Sequence, residues 1–114
     1  MRRDGQRLLD IAEALEWVAM ATAGRTETEF IADEMLHYAV AQRLTVIGEA
    51  AARLGPELIG KYSAVPWADI VGLRNILVHE YFGIHWPLVW QTVADDVPRL
   101  RERVAEILHA EFPE

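Results

Sequence analysis

Apolar residues recur every three or four positions through most of the chain, and this spacing restricts the fold more than any other property of the sequence. Such spacing places apolar side chains along one face of an α-helix. We predict four main helices, over residues 5–23, 27–54, 67–81 and 87–110. No segment has the alternating apolar and polar residues that are typical of a half-buried strand. The sequence therefore predicts an all-α protein, an antiparallel bundle of four to five helices joined by short loops.

Residues that start or stop helices agree with these boundaries. Thr26 and Glu29 have the spacing of a capping box, in which each side chain binds a free backbone N–H of a new helix. Gly55–Pro56 ends the second helix, and residues 57–66 are expected to be irregular, with a short turn. Pro98 falls inside the fourth predicted helix, and we expect a kink or break just before it.

The long second helix carries two stripes on nearly opposite faces. One stripe is apolar, and the other is partly polar and contains Tyr38, Gln42, Thr45 and Glu49. A helix with two such faces often contacts two surfaces. The alternative is that Gln42 and Glu49 merely face solvent.

Length, cysteine content and charge limit the kind of protein further. The length of 114 residues predicts a single helical domain over residues 1–114. The chain has no cysteine, which suits a reducing cytoplasm. It has neither a signal-peptide core nor a stretch of about 18 uncharged apolar residues, so we expect a cytoplasmic protein that does not cross a membrane. The net charge of −7 argues against a surface that attracts nucleic acid as a whole, so any RNA site must be local or completed by a second chain.

The polar residues Arg74, Asn75, His79 and Tyr81 lie close together near the end of an otherwise apolar helix. Arginine can grip a phosphate through two N–H bonds, and histidine can move protons near neutral pH. For an RNA substrate, whose 2′-hydroxyl attacks its own phosphate, these two groups suffice for cleavage without a metal. Arg74 and His79 are therefore the candidate catalytic residues. No histidine has a metal-binding spacing, and we expect no metal and no cofactor.

A purely structural role would also explain these residues. A histidine at a helix C-terminus stabilises the helix dipole, and a partly buried arginine pairs with a carboxylate, for which Glu49 or Asp69 would serve. In the catalytic interpretation, Asn75 and Glu49 are supporting residues of the Arg74–His79 pair.

The spacing of the candidate catalytic residues poses a geometric problem. Arg74 and His79 are five residues apart, and an ideal helix places them about 140° from each other. Asn75 and His79 are four residues apart and share a face. Either the helix distorts at its end, or a two-fold axis brings two copies together so that two arginines and two histidines line one cleft. We therefore predict a homodimer.

The order Arg74-Asn75-x3-His79-x-Tyr81 resembles the R-x4-H-x-Y pattern of HepT-like toxins in the HEPN superfamily of helical RNases. Three further regions also look similar to that family: Ile47–Ala50, Val65–Trp67, and Val89–Trp90 with Asp96–Pro98. The likeness extends from the first helix to about Leu108. In one departure, His85 precedes Trp86, where the family often has an aspartate that would cap the next helix.

The resemblance implies a homodimeric, metal-independent endoribonuclease toxin of a type II toxin–antitoxin system. It also implies a partner, a minimal nucleotidyltransferase antitoxin, which neutralises the toxin by transferring AMP to the tyrosine of the pattern, here Tyr81. An anionic adduct two residues from His79 would block the cleft. The alternatives are a non-catalytic helical binding partner of a nucleotidyltransferase and a structural dimer whose motif has decayed.

Overall fold

The computed structural model describes the backbone of residues 2–113 and the side chains of residues 3–113. Within this range the chain forms seven α-helices and no strand. The helices are α1 (Arg2–Thr22), α2 (Glu27–Ala32), α3 (Glu34–Ala52), α4 (Pro56–Lys61), α5 (Trp67–His79), α6 (Trp86–Gln91) and α7 (Val97–Glu111). A 3-10 turn (Tyr81–Gly83) follows α5, and a π-helical turn (Thr92–Asp96) joins α6 to α7. The predicted all-α fold is confirmed.

Helix α1 is central to the bundle because it packs against both α3 and α7. Its apolar stripe, with Leu8, Ile11 and Leu15, is fully buried. Helix α3 lies between α1 and α5 and contacts both of them, whereas α5 packs mainly on α3. Helix α5 is therefore an outer helix of the bundle, and the residues of the Arg–His motif lie at the surface. In the part of the chain that the structure describes, no helix combines the length and the apolar character needed to cross a bilayer.

The prediction of one helix over residues 27–54 is wrong, because the chain forms α2 and α3 there. Asp33 leaves the helical conformation, with φ −93° and ψ 91°, and its carboxylate accepts a hydrogen bond from the backbone N–H of Leu36 at 3.0 Å. An aspartate in this position caps a new helix. Arg25 forms an ion pair with the same carboxylate at 3.2 Å, which also favours the break.

The capping box predicted at the start of α2 is present. The backbone N–H of Glu29 donates to Oγ1 of Thr26 at 3.1 Å, and the backbone N–H of Thr26 donates to Oε1 of Glu29 at 2.9 Å. The segment after Gly55 is more regular than expected, since α4 replaces a short turn. Pro56, which stops the preceding helix, occupies the first turn of α4, where its missing N–H costs nothing.

The last two predicted helices also differ in detail. Helix α5 ends at His79 rather than Tyr81, because Glu80 turns out of the helical conformation with φ −120° and ψ 41°. The kink or break predicted near Pro98 corresponds to the π-helical turn that precedes α7, and Pro98 lies in the first turn of that helix. The backbone stays in the right-handed helical region at Gln91, Asp96 and Val97, so the predicted fourth helix is continuous and the π-helical turn is an irregularity within it.

Candidate active site

Helix α5 crosses α3 at Gly48, where the two backbones approach more closely than any larger side chain would permit. A methyl group at position 48 would overlap with Cβ of Arg74 and would lie 3.1 Å from the carbonyl oxygen of Ile70. Because glycine has no side chain, the base of the Arg74 side chain lies directly against α3. The next residue of α3, Glu49, then carries a carboxylate within reach of the guanidinium.

The guanidinium of Arg74 is held by two side chains. Its Nε donates to Oε1 of Glu49 at 2.9 Å, and its Nη2 donates to the same oxygen. Its Nη1 donates to Oδ1 of Asn75 at 2.6 Å. Of the two carboxylates considered from the sequence, it is therefore Glu49 and not Asp69 that pairs with Arg74.

Part of the guanidinium remains available for a ligand. An arginine has five N–H groups, and Glu49 and Asn75 engage three of them, which leaves two. The Arg74 side chain is 27% exposed, so these N–H groups can reach a phosphate oxygen. The Glu49 carboxylate offsets the charge of the arginine, and one chain therefore offers only a weakly positive site.

His79 is the last residue of α5, and its side chain is exposed. The helix stays regular to its end, since the backbone N–H of Glu80 donates to the carbonyl oxygen of Ile76 at 2.9 Å. A regular helix keeps Arg74 and His79 about 140° apart. The helix distortion that the spacing allowed is absent, so the two side chains leave the backbone on different sides of α5, although the Arg74 guanidinium bends toward Asn75, which shares a face with His79.

Asn75 and His79 belong to an exposed face of α5 that also contains small residues. We call it the α5 outer face, and its members at helical spacing are Ala68, Gly72, Asn75, Ile76 and His79. All are exposed except Gly72, which is half-buried, and a methyl group on Gly72 would meet no atom within 4 Å. The face thus has room for close approach by another surface.

Tyr81 lies in the 3-10 turn after α5 and is 50% exposed. Its ring stacks on Tyr38 of α3, with centroids 5.5 Å apart and an angle of 20° between the planes. Tyr38 also makes a perpendicular contact with Trp86 at 5.0 Å, and Trp86 stacks on the buried ring of His37 at 4.0 Å. None of these three residues, Tyr38, His37 and Trp86, was predicted from the sequence to belong to the site.

A sequence signal for Tyr38 existed, because it belongs to the partly polar stripe predicted on the second helix. Two members of that stripe contact the motif segment: Tyr38 touches Tyr81, and Glu49 binds Arg74. Gln42, in contrast, is exposed. The stripe therefore packs against α5 and the turn after it, and the interpretation of two contact surfaces fits α3 better than a stripe that merely faces solvent.

His85, the departure from the family pattern, occupies the N-cap position of α6 and makes no side-chain capping hydrogen bond. Its backbone carbonyl still accepts hydrogen bonds from the N–H groups of Leu88 at 3.1 Å and Val89 at 3.3 Å. Pro87, in the first turn, has the backbone conformation that a helix start requires. Helix α6 therefore begins at the expected place without an aspartate.

A cavity of about 550 Å³ opens between α5 and α7, away from the motif. Its lining includes Ile70 and Leu73 of α5 but no residue of the motif. Within residues 2–113, no group of three or more His, Asp or Glu side chains is arranged to hold a metal ion. The motif is therefore a surface site at the end of α5, not the lining of this cavity.

Fold and site together define a small all-α protein that presents an arginine with free N–H groups and an exposed histidine near one helix end. A family model described as Ribonuclease HepT-like matches residues 11–107. A protein of Methanocaldococcus jannaschii named "Putative RNase" is 42% identical over 97 residues, which are 85% of this chain and 89% of the relative. A "Putative RNase" of Caldanaerobacter subterraneus is 37% identical over 101 residues, 89% of this chain and 90% of the relative.

A "Probable ribonuclease HepT" of Thermococcus cleftensis is 31% identical over 100 residues, 88% of this chain and 91% of the relative. No solved structure matches the chain significantly. The match to the family model spans α5 and its motif. The chain belongs to the HepT-like ribonuclease family, and the resemblance inferred from the R-x4-H-x-Y pattern is confirmed.

Proposed function

We propose that this protein is a metal-independent endoribonuclease toxin of a type II toxin–antitoxin system and acts as a homodimer. The observation that carries the proposal is the combination of Arg74, with two free N–H groups, and the exposed His79 on the last turns of one surface helix. Membership of a ribonuclease family supports the activity. The names of three relatives, each of which describes an RNase, point in the same direction.

The homodimer follows from the incomplete site of one chain. The positions of Arg74 and His79 lie about 140° apart around a regular helix, and Glu49 offsets the positive charge of Arg74. If the α5 outer faces of two copies pack about a two-fold axis, each residue occurs twice around one cleft. The small residues Ala68 and Gly72 allow two helices to approach closely there. The cleft then holds two arginines and two histidines, which concentrates positive charge in an acidic protein.

In the proposed reaction the RNA supplies its own nucleophile. One His79 takes the proton of a 2′-hydroxyl, and the 2′-oxygen attacks the adjacent phosphorus. The bond from this phosphorus to the 5′-oxygen of the next nucleotide breaks, and the protonated His79 of the partner subunit gives that oxygen a proton. The products are a 2′,3′-cyclic phosphate and a 5′-hydroxyl. Arg74 donates its free N–H groups to the phosphate oxygens and stabilises the negative charge of the transition state.

The first test is cleavage of single-stranded RNA in the presence of EDTA. We expect the wild-type protein to cleave RNA under these conditions. His79→Ala should lower kcat by roughly 10²- to 10⁴-fold, which is the usual contribution of a positioned proton-transfer group. The measurement is the rate of appearance of fragments with cyclic phosphate ends.

A second histidine provides the matched control for this test. His85 is exposed, makes no capping hydrogen bond and lies six residues from His79, so His85→Ala should keep the wild-type rate. Equal rates for the wild type and His79→Ala would contradict the proposal. A wild-type protein that binds a nucleotidyltransferase but never cleaves RNA would favour the non-catalytic binding partner instead.

The proposal includes inactivation by a minimal nucleotidyltransferase antitoxin. Tyr81 is half exposed and two residues from His79. Its phenolic oxygen would attack the α-phosphorus of ATP and release pyrophosphate, and the resulting anionic adduct would occupy the arginines of the cleft. Incubation with the transferase and ATP should therefore add one or more adenylyl groups to the intact chain and stop RNA cleavage.

Mass spectrometry of intact protein and peptides checks this prediction. Tyr81→Phe should remain unmodified. The control is Tyr62→Phe, which changes a tyrosine that precedes α5 in the sequence, and this variant should be modified like the wild type. An adduct on any residue other than Tyr81 would show that this tyrosine is not the acceptor.

A further inference from the structure

Phe82 is fully exposed, with 101% of its reference surface open to solvent, and no other large apolar side chain in the described chain is as exposed. It lies in the 3-10 turn that follows α5, three residues after His79. An aromatic ring left in water forgoes the free energy of burial. Its position beside the candidate catalytic histidine makes it a candidate ligand contact.

Phe82 follows Tyr81, whose ring is anchored to the protein core by a chain of aromatic contacts. Phe82 contacts Tyr81 perpendicularly at 5.2 Å, and Tyr81 stacks on Tyr38 at 5.5 Å. Tyr38 contacts both Trp86 at 5.0 Å and the buried His37 at 4.7 Å. We call Tyr81 and Phe82 the aromatic platform, in which Tyr81 rests on Tyr38 whereas the Phe82 ring buries essentially no surface.

The platform and the motif residues together offer the two kinds of contact that single-stranded RNA requires. Arg74 has free N–H groups for a phosphate, and His79 lies between the arginine and the platform in the chain. Aromatic rings bind unpaired bases by stacking, whatever the base. We propose that Phe82, backed by Tyr81, stacks on a nucleobase next to the scissile phosphate. This inference rests on the proposed ribonuclease function and assigns a base-binding subsite to it.

Two observations favour a nucleobase over a protein surface as the ligand of the platform. The net charge of −7 deprives the chain of long-range attraction to phosphates, so contacts that do not depend on charge must add to the affinity that Arg74 supplies, and stacking is such a contact. In addition, the α5 outer face already provides the surface proposed for the second copy, and Phe82 lies beyond the end of that helix. The subsite requires an unpaired base, and the enzyme should therefore prefer single-stranded RNA.

The test separates stacking from simple apolar contact. Phe82→Leu keeps an apolar side chain but has no aromatic face, whereas Phe82→Trp keeps the aromatic face. Phe82→Leu should raise KM for single-stranded RNA by roughly 5- to 100-fold, the range that loss of one base stack produces, and Phe82→Trp should keep a KM near that of the wild type. Met20→Ala, which truncates another exposed apolar side chain, is the control and should change nothing.

RNA binding can be measured on a variant that does not cleave RNA, and this measurement tests base stacking independently of the cleavage rate. With His79→Ala protein, RNA that carries 2-aminopurine should bind with quenched fluorescence, because the base stacks on the platform. The quench should disappear in the double variant His79→Ala, Phe82→Leu. If instead both proteins quench the fluorescence equally, or neither does, the inference is overturned.

The remaining outcomes distinguish failure of the subsite from failure of the proposed function. If wild-type protein cleaves RNA and Phe82→Leu has an unchanged KM, the subsite is overturned and the ribonuclease function stands. A shift of Phe82→Leu from dimer to monomer in sedimentation velocity assigns the ring to a protein contact and also overturns the subsite. If wild type and His79→Ala are equally inactive, the proposed function fails, and the 2-aminopurine measurement still decides whether the platform binds a base.

Discussion

At Gly48 the side chain is a single hydrogen, and this small volume decides where Arg74 lies. Helix α5 packs tightly on α3 at this point, and Glu49, the next residue, binds the guanidinium. The local order Gly48-Glu49 therefore does two things at once: the glycine admits the base of the arginine side chain, and the glutamate holds its end. The position of the candidate phosphate-binding group thus depends on a residue that makes no contact with RNA.

A methyl group at this position should damage both the packing and the site. In Gly48→Ala the new carbon overlaps with Cβ of Arg74 and crowds the carbonyl oxygen of Ile70, which is backbone and cannot rotate away. We expect the free energy of unfolding to fall by about 1–3 kcal/mol, as in other overpacked cores. Arg74 should also move away from Glu49, with a loss of kcat/KM for RNA. Urea denaturation and the cleavage assay measure the two effects.

Another helical glycine supplies the control for this variant. Gly60 of α4 has no atom within 4 Å of the position of an added methyl group. Gly60→Ala should raise the free energy of unfolding by about 0.5–1 kcal/mol, because alanine restricts the unfolded chain, and should leave activity unchanged. A Gly48→Ala protein as stable as Gly60→Ala would show that α5 can move off α3 at little cost.

At the scale of elements, α5 has two different faces. Its inner face buries Trp67 and Leu77 against the bundle, and its outer face presents Asn75 and His79 to solvent with Gly72 between the turns. The same face leaves the apolar side chain of Ile76 43% exposed, so it also has surface that a second helix could protect from water. Its small residues remove steric obstacles to such a helix.

The dimer proposed on this face can be tested with one substitution. Gly72→Leu adds a bulky side chain where the free chain has open space, so the fold should tolerate it while close helix approach is blocked. We expect the dissociation constant of the dimer to rise by roughly 5- to 100-fold, since overpacking costs about 1–3 kcal/mol and about 1.4 kcal/mol is a factor of ten. Sedimentation velocity over a range of protein concentrations measures this change, and RNA cleavage should weaken in parallel.

Gly60→Leu is the matched control, because this glycine also lies in a helix beside open space but on α4. It should leave both the dimer and the activity intact. A Gly72→Leu protein that remains a dimer with full activity would place the second copy, or the whole catalytic site, elsewhere.

Several element boundaries were predictable and others were not. The capping box of Thr26 and Glu29 is a local arrangement that involves the backbone N–H groups of these two residues, and it forms as predicted. The break at Asp33 involves an equally local signal, because its carboxylate caps the N–H of Leu36. The spacing of apolar residues did not reveal this break. A pattern of side chains reports which face is buried, and it is less sensitive to a one-residue interruption of the backbone.

At the scale of the whole molecule, the proposed binding of RNA depends more on how charge is distributed than on the total charge. The chain is acidic overall, with a net charge of −7, and Arg74 itself is paired with Glu49. Long-range attraction to RNA is therefore weak, and recognition must depend on short-range contacts. The two free N–H groups of Arg74, the second arginine that the proposed dimer would bring to the cleft, and the exposed aromatic platform would supply contacts of this kind. The proposed activity thus requires the assembled molecule and not merely the motif.

The sequence by itself determined the helical class, the burial of the main stripes and the identity of the motif. These properties depend on neighbours within a few positions along one helix, and residue spacing reports such neighbours directly. The family pattern at Arg74, His79 and Tyr81 was likewise visible in the order of residues, and the family match confirms it.

Only the tertiary structure decided which side chains from other helices complete the site. Arg74 binds Glu49 rather than Asp69, because α3 and α5 cross at Gly48. The same packing brings the ring of Tyr38 onto one face of the Tyr81 ring. Spacing along the chain cannot show the angle or the distance of that crossing, since both depend on how two surfaces fit together. The full exposure of Phe82 is also a tertiary property, because an aromatic residue after an apolar helix could equally have been buried.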